Sequence, residues 1–203
     1  MKRRSGPPPD VGADSRPRKF AKSMRYAFKV LCPEQLVEMM MGRKGEAVQN
    51  TEMVTQAKLV FSRRDTYFPK SSLRILTIFA HDPANIALVF DEVIACVSEC
   101  QKDEQAPVDR DVFGNFIDGR HRHVVRCALS KAAAGAVIGT GGERIRSLRT
   151  IGFIDVQRDI VDNHQLVTLA GNPAEVKQML AEINLIVQED VEQPWFQDWA
   201  EQQ

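Results

Sequence analysis

The chain has no net charge: 27 lysines and arginines balance 27 aspartates and glutamates over 203 residues. A neutral protein exerts no long-range pull on a polyanion, so contact with nucleic acid would have to come from local basic clusters. An apolar run of membrane-spanning length is missing, as is a signal-peptide hydrophobic region. A soluble intracellular protein with no membrane partner is therefore expected. Metal motifs are missing too. The four cysteines, Cys32, Cys96, Cys100 and Cys127, form no Cys-x-x-Cys pair, and no histidine stands at metal-site spacing from them. That pattern argues against zinc and leaves buried, reduced thiols as the expectation. No nucleophile with a partner base and no acid–base pair can be picked out, so neither an enzyme activity nor a cofactor is expected.

What is present is a 43% apolar content, adequate for packed cores. The ends are polarised. Residues 1–23 carry Pro7-Pro8-Pro9 and the basic residues Lys2, Arg3, Arg4, Arg16, Arg18, Lys19 and Lys22, and read as a disordered tail. Weak phosphate binding, a nuclear import signal and a plain solvated tail are all open for it. Residues 191–203 read as an acidic C-terminal tail, whose Trp195 and Trp199 could stack on bases or bind a partner, though docking on the preceding domain is favoured. Residues 101–121 are mostly polar and read as a linker, Phe113, Phe116 and Ile117 excepted.

Two stretches between these segments repeat one order of elements. In 24–100, Tyr26, Phe28 and Val30 alternate as in a strand, and Pro33 opens a helix over 34–41. After Gly42–Gly45 the pattern predicts a helix over 46–54, a strand around Leu59 and a polar loop holding Arg63, Arg64, Tyr67 and Lys70. A third strand over 73–80 and a helix opened by Asp82-Pro83 complete the copy. In 122–190 the order returns. It runs through a strand at Val125–Leu129, a helix capped by Ser130, the Gly139–Gly142 loop and a helix over 143–151. Strands at 154–158 and 166–170 then flank a loop, and Asn172-Pro173 opens a last helix. The extra length of the first copy falls in its polar loop, as one fold used twice would allow. Each copy should be an α+β unit, a small antiparallel sheet under three helices.

Neither glycine loop is a nucleotide-binding fingerprint. A P-loop needs Gly-x-x-x-x-Gly-Lys-Ser/Thr, and a dinucleotide site needs a third glycine where Arg144 stands. A Gly-x-x-Gly turn between two helices has another use. Without Cβ atoms it adopts unusual dihedrals, lets a polyanion approach the main chain and leads into the positive end of a helix. A helix-joining turn with no ligand is the plain alternative for one such loop; two loops in equivalent places weigh against it.

The segment from Arg126 through Ala134-Gly135-Ala-Val-Ile138-Gly139-Thr140-Gly141-Gly142 to Leu148, followed by Val167–Val176, resembles a type I KH domain. It is similar to those of the poly(C)-binding proteins and heterogeneous nuclear ribonucleoprotein K. The resemblance implies two type I KH domains, the first divergent, each a three-stranded antiparallel sheet against three helices. It implies a groove holding about four nucleotides of single-stranded RNA. Carried over, the loop Gly139, Thr140, Gly141 and Gly142 contacts phosphate; Ala134, Gly135 and Ile138 line the helical wall; Arg149 follows on the next helix; Val156 and Arg158 form the strand wall. Ile145 and Ile154 stand beside them, Ile145 and Leu148 serving mainly the core. In the first copy the matching residues are Met41, Gly42, Arg43, Lys44, Gly45 and Leu59, with Val37, and with Arg63 and Arg64 from the long loop. The expected function is binding of C- or pyrimidine-rich messenger RNA in post-transcriptional regulation, in the nucleus or the cytoplasm. Two alternatives stay open: an adaptor whose KH folds bind protein partners, and a binder of single-stranded DNA.

Overall fold

In the computed structural model, residues 23–100 and 123–202 are described. The basic tail, save Ser23, and the linker with Phe113, Phe116 and Ile117 lie outside them. The first half runs β1 (Tyr26–Cys32), α1 (Glu34–Met41), a short turn Arg43–Gly45, α2 (Glu46–Thr55), β2 (Ala57–Phe61), β3 (Arg74–Ala80) and α3 (Pro83–Cys100). The second runs β4 (His123–Ser130), α4 (Lys131–Ile138), a turn Thr140–Gly142, α5 (Glu143–Ile151), β5 (Phe153–Val161), β6 (His164–Gly171) and α6 (Pro173–Gln188). Helix α7 (Pro194–Glu201) lies within the segment read as an acidic tail. No helix among the described residues is long and apolar enough to cross a membrane.

Two separate three-stranded sheets were expected. Instead the strands form one six-stranded antiparallel sheet in the order β2-β3-β1-β4-β6-β5. The join is a short antiparallel pairing of β1 with β4, Val30 with Cys127 and Leu31 with Arg126. An unpaired strand edge is a liability, and each half hides one edge against the other. Because β1 and β4 run antiparallel with all the large helices on one face, the halves are related by an approximate two-fold axis normal to the sheet. Strands β2 and β5 are left as the outer edges.

Local chemistry sets the elements. Ser130 Oγ accepts the Ala133 N–H at 3.0 Å and starts α4. Asn172 and Glu175 form a reciprocal capping box at α6, with Pro173 in the first turn. Asp162 and Asn163 have φ of 45° and 61°, the left-handed pair that a tight two-residue hairpin requires. Strand β5 therefore continues to Val161 rather than ending at Arg158, with a bulge between Val156 and Ile160.

Beneath the helices lies one continuous core that crosses the join. Phe28, Val30 and Cys32 of β1 share it with Cys127 and Leu129 of β4, Phe90 of α3 and Ile183 of α6. Phe28 and Phe90 meet edge to face at 5.0 Å. Cys32, Cys96 and Cys127 are buried free thiols and Cys100 is half-buried. Burial holds the three buried thiols well above their ordinary pKa, Cys96 at about 12.

The opposite face is covered as well, and its cover comes from segments that look polar. From the loop after β2, Phe68 and Leu73 turn inward onto Leu31 and Ile75 of the first half and Ala128 and Leu166 of the second. Helix α7 buries Phe196, Trp199 and Ala200. Trp199 meets His164 of the second half at 6.5 Å and lies 5.1 Å from the Lys29 ammonium of the first. Its docking thus involves both halves, where contact with the second alone was expected. A polar fastener completes the join on the helical face. Gln188 of α6 donates to Ala27 O at 2.9 Å and accepts the Ala27 N–H at 3.4 Å, as a paired strand would. Asn184 Nδ2 donates to Pro83 O at 3.0 Å.

Candidate nucleic-acid interface

The Gly139–Gly142 loop follows α4 because Gly139 takes a conformation that only glycine adopts readily, φ 74° and ψ 170°. Its N–H still closes α4 by donating to Gly135 O at 2.9 Å. One tight turn follows, with Gly142 N–H donating to Gly139 O at 3.0 Å. Gly141 and Gly142 sit in the left-handed region at φ 59° and 76°. Glu143 then enters α5, its own N–H donating to Thr140 O. Thr140 and Gly141 are exposed, and a Cβ added at Gly141 would meet nothing within 4 Å. The tip is open space over a helix N-terminus.

The first loop has the same backbone with different side chains. Gly42 has φ 67° and ψ −176°, Lys44 φ 54°, and Gly45 φ 80° before α2. Gly42 N–H donates to Glu38 O at 3.0 Å, matching the Gly139 to Gly135 bond. Arg43 and Lys44 are exposed at its tip. A lysine in the left-handed region costs about 1–2 kcal/mol, and here it sets a positive charge where the second loop has only backbone.

The groove residues separate by burial. Gly135 is exposed and Ile138 half-buried, so both reach the surface beside the second loop. Ala134, expected on the wall, is fully buried, its methyl facing the core. Ile145, Leu148 and Ile154 are core residues. Arg149 is exposed on α5, Val156 is half-buried on β5, and Arg158 is exposed in the bulged stretch. In the first half Met41 is half-buried, whereas Val37 and Leu59 are core.

The strand register assigns Leu59 its counterpart in the second half. Leu59 pairs with Ile78 and Phe61 with Leu76, whereas Ile154 pairs with Leu169 and Val156 with Val167. Tyr26 pairs with Ala80 and His123 with Gly171, which sets the two registers against each other. Leu59 therefore corresponds to the buried Ile154, and half-buried Phe61 to Val156. The register shifts relative to the loops because α5 ends sooner after its loop than α2 does. Arg74 lies 5.9 Å over the Phe61 ring.

Two cations not picked out from the sequence stand at the second loop. Arg146 Nη1 donates to Gly141 O at 2.9 Å and so holds its guanidinium beside the loop tip. Arg144 reaches back to Ala136 O and to Glu189, each at 3.5 Å. The signal available was their place in the first turns of α5. Arg63 and Arg64 are exposed on the long loop whose Phe68 is buried on the far face of the sheet.

Residues 124–185 match the KH domain family, and this stretch is one KH domain. Among solved structures the chain is similar to Dim2p from Pyrococcus horikoshii OT3, at 14% identity and TM-score 0.28, over 87% of this chain and 99% of that one. It is also similar to a chain of the a/eIF2alpha-aDim2p-rRNA complex from the same organism, at 14% identity and TM-score 0.28, over 86% and 92%. Neither superposes closely enough for residue roles to be carried across. No curated protein matches the chain.

Proposed function

We propose that this chain binds single-stranded RNA, and catalyses no reaction on it, through the groove of its KH domain. The observation that carries the reading is the open Gly139–Gly142 turn at the N-terminus of α5, inside the matched stretch 124–185. Such a loop clamps the sugar–phosphate backbone while bases lie in the adjoining groove. Gly135 leaves room on the helical wall, Ile138 and Val156 offer apolar contact, and Arg146, Arg149 and Arg158 supply charge to a chain that has none in sum. The resemblance to the poly(C)-binding proteins makes pyrimidine-rich messenger RNA the first target, in the nucleus or the cytoplasm.

A second reading assigns the first half to a protein partner. It is favoured by Met53 and Val54 on α2, which are 73% and 68% exposed.

Fluorescence anisotropy with C-rich, U-rich and A-rich RNA, and with C-rich DNA, at two salt concentrations tests the main reading. The variant Thr140→Asp/Gly141→Asp places carboxylates at the loop tip, where aspartate tolerates the left-handed backbone. It should abolish RNA binding with circular dichroism unchanged. Unchanged affinity in that variant would remove the KH groove from the account.

A further inference from the structure

The two loops share a backbone, and among the differences between the grooves beside them one lies on the helix that follows each loop. Glu52 on α2 and Arg149 on α5 occupy the same place counted from the glutamates that open those helices, Glu46 and Glu143. Arg149 is exposed. Glu52 is folded down onto the outer edge of the sheet. Its Oε1 accepts the Leu59 N–H at 3.0 Å, and its Oε2 accepts from Lys58 Nζ at 2.7 Å. The side chains of Glu52 and Lys58 are only 16% and 30% exposed. Strand β2 is the edge of the sheet, so the Leu59 amide taken by Glu52 faces the groove rather than another strand.

We propose that Glu52 decides which groove reads RNA, its carboxylate standing in the first groove where the acceptor edge of a base would sit. This rests on the RNA reading of the second groove and deepens it: the ligand is one short single-stranded segment held in one groove. A base seeking the Leu59 N–H must displace a charge-assisted bond, roughly twice as strong as a neutral one. At the second edge the residue corresponding to Leu59 is Ile154, and α5 carries the exposed Arg149 at the helix position of Glu52. Lys58 does not reverse the asymmetry, because its ammonium is engaged by Glu52 itself. Arg43 and Lys44 still offer charge at the first loop, where they can touch phosphate but read no base.

Titrating a short pyrimidine-rich RNA into the full chain, with backbone amides followed by NMR, tests this directly. In the wild type the amides of Gly139–Gly142 and Ile154 should move and saturate at one equivalent, while that of Leu59 stays. Glu52→Ala should open the first groove. The Leu59 amide should then move, a second equivalent should bind, and affinity there should rise about tenfold to a hundredfold, the worth of one hydrogen bond to a charged group. Glu52→Arg, which copies the second half, should do the same and guards against an alanine-specific loss of α2, with circular dichroism as the control. A Leu59 amide that shifts with Ile154 in the wild type overturns the inference. So do two folded variants that still bind one equivalent. If the Gly139–Gly142 amides do not respond to RNA at all, the RNA reading itself fails, and this inference falls with it.

Discussion

The ammonium of Lys29 lies 2.9 Å from Nε2 of His164, and the two residues come from different halves of the chain. His164 Nδ1–H donates to the Asp162 carbonyl at 2.7 Å, which leaves Nε2 as the acceptor for the Lys29 ammonium. The same ammonium donates to the carbonyls of Trp199 and Gln202 at the end of α7. One buried cation thus ties β1, β6 and the C-terminal helix together, and complements the negative end of that helix.

That contact makes stability depend on pH. Burial pushes Lys29 down from 10.5 to about 7, and burial together with the Lys29 charge pushes His164 down from 6.5 to about 4. The unfolded chain recovers the ordinary values, so it binds more protons than the folded one in both windows. Stability should therefore rise with pH from about 4 to 6.5 through His164 and from about 7 to 10.5 through Lys29. Urea denaturation across that range is the check. Lys29→Met should flatten the alkaline rise, and His164→Phe the acidic one.

Gln188 offers a second test of the join. Its side-chain amide serves both the N–H and the C=O of Ala27, and also donates to Asn184 Oδ1 at 2.9 Å. Gln188→Leu keeps the volume but leaves those buried groups without partners, a loss of about 1–3 kcal/mol. The urea midpoint should fall. A single shared transition should remain, because the apolar core still crosses from one half to the other.

The glycines of the loops should not be equivalent. A Cβ on Gly42 would meet Ala47 Cβ at 2.5 Å, and its φ of 67° with ψ of −176° suits glycine alone. Gly42→Ala should destabilise the fold by about 1–3 kcal/mol. Gly141→Ala meets open space in the left-handed region and should cost only about 1–2 kcal/mol. Thermal melts of the two variants should rank in that order.

Much of this was legible in the sequence where local chemistry decides. The helices over 34–41, 131–138 and 143–151 have the expected bounds, because proline, serine and glycine punctuate them. The join between the halves was not. Val30, Leu31, Arg126 and Cys127 alternate like any strand, and alternation does not name a partner. Phe68 sits in a polar stretch, and Leu73, read as the start of a strand, stands before Arg74 where the strand begins; distant neighbours fix both. The counterpart of Leu59 is Ile154, which only the strand register identifies. The resemblance places Ala134 on the groove wall, where its small side chain leaves room for a base; that smallness suits a tight core equally well.

Arg146 gives the sharpest reading of the loop. Its guanidinium is held at 2.9 Å from Gly141 O by one N–H, and the side chain is otherwise exposed beside the loop tip. A cation so placed contacts phosphate and carries no base information. Arg146→Ala should therefore weaken RNA binding alike for C-rich, U-rich and A-rich sequences. It should also lower the magnitude of the slope of log affinity against log salt by about 1. Arg149→Ala, further along α5, should change the ranking among sequences instead. Anisotropy titrations at several salt concentrations separate the two. If Arg146→Ala altered the ranking and left the salt slope untouched, phosphate would not lie at the Gly139–Gly142 loop.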